Sequence, residues 1–192
     1  MSGPEHSRFA ALHDVELCAL AAAGERRAFG ELVRRHGSAV RGVLRRMGAH
    51  AAEADDVAQD AFLTAFERIA EFRGEGTFAG WVKKIAARLY LRRLHRDRRL
   101  GALTVEEPAD DAPRSDADAA IDLEGALKAL GTAERICVTM CFGAGLSHSE
   151  AAEALNLPLG TVKSHVKRGL EKLRTRLAPD NGALVEGRRG NG

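Results

Sequence analysis

The chain has 192 residues, with 29 Lys and Arg against 27 Asp and Glu, a net charge of +2 and 45% hydrophobic residues. That allows one domain or two small ones, and excludes both a large multidomain enzyme and wholesale disorder. Aromatics supply only 5% and β-branched runs are scarce, so the core rests on Ala, Leu and Val and the expected fold is all-α.

Asp14 is the expected N-cap of a short helix to Ala23, closed by Gly24. Phe29, Leu32, Val33, Val40, Val43, Leu44 and Met47 then fall on one helical face. After a break at Gly48–His50, Val57, Ala61, Phe62, Ala65 and Ile69 make a second stripe. The opposite side carries Asp55, Asp56, Gln59 and Asp60. A loop, Phe72-Arg73-Gly74-Glu75-Gly76, leads to Thr77 as N-cap. Phe78, Trp81, Val82, Ile85 and Leu89 follow at helical spacing, while Lys84, Arg88, Arg92, His95 and Arg99 line another face. Further on, Leu123, Ala126, Leu127 and Leu130 mark one helix. Thr132 is the expected cap of the next, which runs to about Phe142 and ends at Gly143 and Gly145. Ser147-His148-Ser149-Glu150 has capping-box form and opens a short helix to Leu155. Asn156-Leu157-Pro158 breaks it, and a longer helix to about Leu177 buries Val162, Val166, Leu170, Leu173 and Leu177.

The near-neutral total argues against a nucleic-acid partner, but its distribution does not. Residues 83–99 hold eight Lys and Arg against Asp97 alone, a local charge of +7; residues 101–122 sum to −6 and residues 161–176 to +5. The acidic block, with Pro108 and Pro113 and no apolar period, reads as a flexible linker. The expected organisation is a helical domain over 1–100, a linker over 101–119, a second helical domain over 120–178 and a disordered tail over 179–192.

A short helix, a three-residue break and a basic amphipathic helix is the pattern of a helix-turn-helix. Lys163, Ser164, Lys167 and Arg168 share its outer face and suit bases and phosphates together; the plainer alternative is a solvated basic helix. The 83–99 stripe suits nucleic acid, an anionic membrane or an acidic protein, or is a solubilising face. Trp81 fits the core better than a base-stacking role. Nucleotide-binding, zinc-protease and serine-hydrolase motifs are absent, so no enzymatic activity and no cofactor are expected. Cys137 and Cys141, four residues apart, with Cys18 and His148, raise a metal or redox site, but small buried residues are the better reading. Three irregularly spaced cysteines make no disulfide framework. No apolar stretch approaches the roughly 20 residues of a membrane span. With no signal-peptide pattern in MSGPEHSRFA, a cytoplasmic protein without membrane insertion is expected.

Three stretches carry a resemblance: AFGELVRRHGSAVRGVLRRM, AEADDVAQDAFLTAFERIAEFRGEGTFAGWVKKIA and LSHSEAAEALNLPLGTVKSHVKRGLEKLR. With D-x-x-Q-D-x-F followed by T-F-x-x-W-V-x-x-I-A and then G-T-V-K-S, the chain resembles the extracytoplasmic-function (ECF) group of sigma-70-type transcription initiation factors from about Asp14 to Leu177. The resemblance implies that Asp55, Asp56, Gln59 and Asp60 dock on the clamp helices of core RNA polymerase, with the second domain on the flap of the second-largest subunit. It further implies that Phe72, Arg73, Gly74 and Thr77 handle the promoter −10 element and capture a flipped base, with Lys84, Arg88 and Arg92 on the backbone. Thr161, Lys163, Ser164, His165, Lys167 and Arg168 would read the −35 element, His165 from a phosphate. An anti-sigma partner is common in this group. Arg88 and Arg92 stand where relatives commonly carry Asn and Asp, and Gly131 where they carry Pro. The acidic linker is either a tether or a strand directed to the polymerase cleft. Its roughly 20 residues reach about 65 Å, against about 58 Å for a 17-base-pair promoter spacer. A free-standing helix-turn-helix regulator and a Cys-based sensor are the competing classes.

Overall fold

The computed structural model describes residues 5–101 and 123–177; the expected linker beyond Gly101 and the expected tail lie outside the described residues. Among the described residues there are nine α-helices and no strand: α1 Glu5–Ala10, α2 Asp14–Ala22, α3 Arg26–Met47, α4 Ala51–Glu67, α5 Phe78–Gly101, α6 Leu123–Lys128, α7 Thr132–Val138, α8 His148–Leu155 and α9 Leu159–Leu177.

In the N-terminal half α3 is the central post. Glu25 accepts from the Arg27 backbone N–H at its start, and Gly48 ends it in the left-handed region at φ +116°. The expected stripe is buried as read, from Phe29 and Leu32 through Val40, Val43, Leu44 and Met47. The Phe29 ring meets Phe62, Phe66 and Phe78 edge-on, with centroids 5.0–6.4 Å apart. Ala54, Ala58, Ala61 and Ala65 of α4 and Ala86 and Ala87 of α5 are buried in the same cluster, so methyl groups fill much of this core. Ile69 is also buried, but in a 3-10 turn over Ile69–Glu71 after α4 has ended.

One buried carboxylate organises the entry to this half. Glu31 accepts from Arg34 and from Arg35 Nε at 2.6–2.8 Å. Arg35 then spreads its remaining donors over the carbonyls of Phe9, Ala10 and Leu12 and the carboxylate of Asp14, at 2.8–3.1 Å. His36 Nε2 lies 2.6 Å from the other Asp14 oxygen. Asp14 is therefore not the helix cap expected of it. His13 takes the N-cap position, its backbone N–H donating to Glu16, because Asp14 is engaged across the fold by α3.

In the C-terminal half Thr132 does not cap α7; Gly131 holds the N-cap position and Thr132 is the first helical residue. The helix expected to run to Phe142 changes at Val138 into a π-helical turn over Thr139–Gly143. The Ser147 capping box forms as read, with Glu150 N–H on Ser147 Oγ at 3.2 Å and Ser147 N–H on Glu150 Oε2 at 2.8 Å. Asn156, left-handed at φ 53°, ends α8, and α9 buries Val162, Val166 and Leu173. Leu123, assigned to the apolar face of α6, is instead exposed.

The two halves also touch. Ile136, Cys137, Met140, Ala144, Leu146 and Ala151 belong to the same apolar cluster as Val43, Leu44 and Met47. The Arg135 side chain lies over Gly48, where a Cβ would come within 2.7 Å of its Nη2. Along this part of α7, Arg135 Nε and Thr139 Oγ1 are buried with no hydrogen-bond partner.

Two outcomes are expected. A Cβ at Gly169 would lie 2.7 Å from Val138 and 3.0 Å from Leu130, so overpacking outweighs the gain in helix propensity. Gly169→Ala should lose about 1–2 kcal/mol in urea unfolding. Arg34 hydrogen bonding, with Arg35, pulls the Glu31 carboxyl from 4.5 down to about 2. Because the folded value is the lower one, its stabilisation is complete above pH 4.5 and fades as pH falls toward 2. The urea midpoint should drop over that window more steeply in the wild type than in Glu31→Gln.

Candidate nucleic-acid interface

The break at Asn156–Pro158 sets α9 against α8 with Val162 and Val166 inward. Lys163, Ser164 and Lys167 are then left exposed on one outer face, with Thr161 and His165 half-buried at its edge. Short polar and long cationic groups side by side meet base edges and phosphates from one helix. Arg168 behaves differently from its neighbours. Its Nη2 lies 3.0 Å from His165 Nδ1 and its Nε 3.6 Å from Glu134 Oε1, so the guanidinium is drawn back toward α7. Glu134 also accepts from Lys172 at 2.7 Å, and that bond leads the interactions that hold its carboxyl below the usual range. Sequence reading passed over Glu134, the one acid on α7. Its pairing with α9 spans 38 residues, and no local spacing announces it.

The second basic face runs along α5. Thr77 caps the helix as expected, accepting from Gly80 N–H at 3.1 Å. The preceding loop turns at Gly74 and Gly76, at φ +75° and +83°, conformations that favour glycine. Phe72 folds back onto Phe78 and Trp81, with centroids 5.9 and 5.5 Å away, while Arg73 and Thr77 stay exposed. Trp81 thus packs with these rings, as the core reading had it. Between this loop and the α1–α2 turn lies a cleft of about 390 Å³. His13, Asp14, Val15 and Arg35 line it from the α1–α2 side and Phe72, Gly76, Thr77 and Phe78 from the loop side, so polar groups with one valine stand with two aromatic rings. Neither His13 nor Arg35 was singled out from the sequence, because Arg35 reaches this turn only through tertiary bonds to Asp14 and to the carbonyls of Phe9, Ala10 and Leu12.

Arg92 is exposed, whereas Lys84 and Arg88 meet Glu150 across the seam between the halves. Lys84 Nζ donates to Oε1 at 3.2 Å and Arg88 Nη2 lies 3.7 Å from the same oxygen. The Ser147 backbone N–H first, and Lys84 after it, hold the Glu150 carboxyl below the ordinary range. A third face lies on α4, where Asp55, Asp56, Gln59 and Asp60 are all exposed. Asp55 is 3.5 Å from Arg41 and Asp56 3.8 Å from Arg93, surface pairs worth little in water. Leu63, one turn beyond Gln59 and 56% exposed, puts an apolar centre beside these acids. Its position outside the buried stripe of α4 was the available signal.

The cysteines offer no comparable chemistry. Cys18 and Cys137 are buried, and burial pushes both thiols up to about 11, far from the reactive thiolate range. Among the described residues no three His, Cys, Asp or Glu side chains gather as metal ligands, and no helix is long and apolar enough to cross a membrane.

These faces sit on the segments that comparison with known proteins picks out. Sigma-70 region 2 matches residues 32–100 and sigma-70 region 4 matches residues 126–175. The RNA polymerase sigma factor CnrH of Cupriavidus metallidurans is 33% identical over 181 residues, 86% of this chain and 94% of CnrH. The ECF RNA polymerase sigma factor SigE of Mycolicibacterium smegmatis is 32% identical over 157 residues, 77% of this chain; the match spans 61% of SigE. CnrH solved in complex with the cytosolic domain of CnrY superposes with a TM-score of 0.52 at 30% identity, covering 84% of this chain and 95% of that one. The chain belongs to the sigma-70 family, in its ECF group.

Glu134→Gln keeps the side-chain shape while freeing Arg168 and Lys172 from a charge. It should cost about 1–2 kcal/mol of stability. It should also raise the non-specific duplex affinity of the chain several-fold, as read by fluorescence anisotropy.

Proposed function

We propose that the chain is a non-catalytic promoter-specificity subunit: it joins core RNA polymerase, recognises −35 and −10 elements and helps open the DNA. The observation that carries this reading is the pairing of two basic helical faces, α5 and α9, with a separate acidic face on α4. Two basic faces suit two DNA elements; an acidic helix with Leu63 at its centre suits a basic partner helix, here the polymerase clamp. Residues 1–100 form the clamp-docking and −10 domain, 101–119 the linker and 120–178 the −35 domain, seated on the polymerase flap.

On α9, Lys163, Ser164 and Lys167 face base edges, with Thr161 and His165 at the margin, while Arg168, held by Glu134, lies where a phosphate passes. At the −10 element the cleft between Phe72, Thr77 and Phe78 and the polar wall of His13, Asp14 and Arg35 receives a flipped base. Arg73 and Gly74 flank its mouth in sequence, and Lys84, Arg88 and Arg92 follow the backbone. Extrusion costs a few kcal/mol of unstacking, which stacking on aromatic rings and phosphate contacts offset. An anti-sigma partner is proposed as well, on the precedent of CnrH, which was solved in complex with the cytosolic domain of CnrY.

The test is transcription and gel shift with and without core polymerase. Promoter-specific initiation is expected only when chain and core are combined; tight sequence-specific duplex binding by the chain alone would identify a free-standing regulator instead. Within the active complex, Lys167→Ala should cost about 1–3 kcal/mol at particular −35 bases. Arg92→Ala should weaken all promoters alike and lower the salt slope by about one unit.

A further inference from the structure

We infer that Glu150 is an internal surrogate for DNA phosphate, holding the isolated chain closed by occupying the backbone-binding face of α5 until the C-terminal half moves away. This rests on the promoter-binding reading given above. Lys84 and Arg88 stand one turn apart on α5 and both reach Oε1, at 3.2 and 3.7 Å, with Lys84 also 3.4 Å from Oε2. Two cations gathered on one anionic oxygen is the arrangement a phosphate oxygen takes between neighbouring basic side chains. The carboxylate is also fixed in place. Oε2 accepts from the Ser147 backbone N–H at 2.8 Å, while the Glu150 backbone N–H donates to Ser147 Oγ, so the capping box aims Oε1 outward at α5. Two of the three basic residues assigned to the −10 backbone are thereby engaged, the carboxylate offsetting one of their two charges, while Arg92 lies exposed.

The closed arrangement cannot serve a promoter. Lys163 lies 13 residues along the chain from Glu150. Helix rise and the extended turn between them allow at most about 28 Å. The −10 and −35 faces are then held far closer than the roughly 58 Å of a promoter spacer.

A carbodiimide, which joins an amine to a carboxylate in contact, tests the closed state directly in the full chain. Mass spectrometry should find a Lys84–Glu150 cross-link in the free protein, and core polymerase should suppress it. E150Q is the companion variant, since Gln also serves at this capping-box position and leaves α8 intact. Free E150Q should bind a fluorescent single-stranded oligonucleotide about 5–10-fold more tightly than wild type at low salt. Its salt slope should be steeper by about 1.4, the value for two additional phosphate contacts on a single strand. Transcription by the E150Q holoenzyme should stay within about twofold of wild type, because polymerase has already opened the chain. Absence of the cross-link, or identical affinity and slope for the two proteins, with normal wild-type transcription, would overturn the inference alone. Failure of the wild-type chain to support initiation with core would overturn the promoter-binding reading instead.

Discussion

Arg35 makes five hydrogen-bonding contacts at 2.8–3.1 Å, and they tie α1 and α2 to α3 over the apolar packing of Phe9, Leu17, Cys18 and Ala21. Its Nε goes to the buried Glu31 on its own helix, and the other two nitrogens cover the carbonyl ends of α1 and the Asp14 carboxylate at the head of α2. A helix end leaves carbonyls without partners, and a planar guanidinium is suited to collecting several of them at once. Without Glu31 that cation would be half-buried and poorly compensated; with it, the α1–α2 turn is set as a wall opposite the Phe72–Thr77 loop. The polar side of the cleft is therefore a by-product of how the N-terminal helices are tied to α3.

Electrostatics recur in the same form at two other places. Glu134 and Glu150 each lie under cationic side chains from a helix distant in sequence, and each tempers a basic face rather than a lone residue. A strongly basic helix repels itself and binds any polyanion, so an internal carboxylate confers discrimination at the expense of raw affinity. The difference lies in location. Glu134 acts within the C-terminal half and sets where Arg168 sits, whereas Glu150 acts between the halves.

Much of the fold was legible because it depends on short-range rules. Thr77 and Ser147 cap where their spacing to Gly80 and Glu150 says they should, and the stripe from Phe29 to Met47 is buried as its period requires. The failures are equally physical. Asp14 has the chemistry of a cap, but α3 recruits it for an ion pair 21 and 22 residues away. The π turn after Val138 shifts helical phase by one residue where α7 meets the N-terminal half, a packing response no local propensity encodes. Of the site, the exposed residues of α4 and α9 could be read from amphipathic pattern. The cleft wall at His13 and Arg35, Glu134 beneath Arg168 and the engagement of Lys84 and Arg88 all needed tertiary contacts.

The alanine-filled contact region of α4 and α5 has a consequence of its own. Alanine carries no side-chain rotamers to freeze, so each buried methyl is ordered without the entropic loss that a buried Leu or Met incurs. It also brings less apolar surface, and the favourable term shifts from side-chain bulk to close approach of the two backbones. With Ala54, Ala58, Ala61 and Ala65 along one helix, these positions have only a methyl group to lose. It would be sensitive to enlargement instead, so over evolutionary time these positions should drift only toward glycine or serine, while the Leu and Val positions of α3 have room to exchange among themselves.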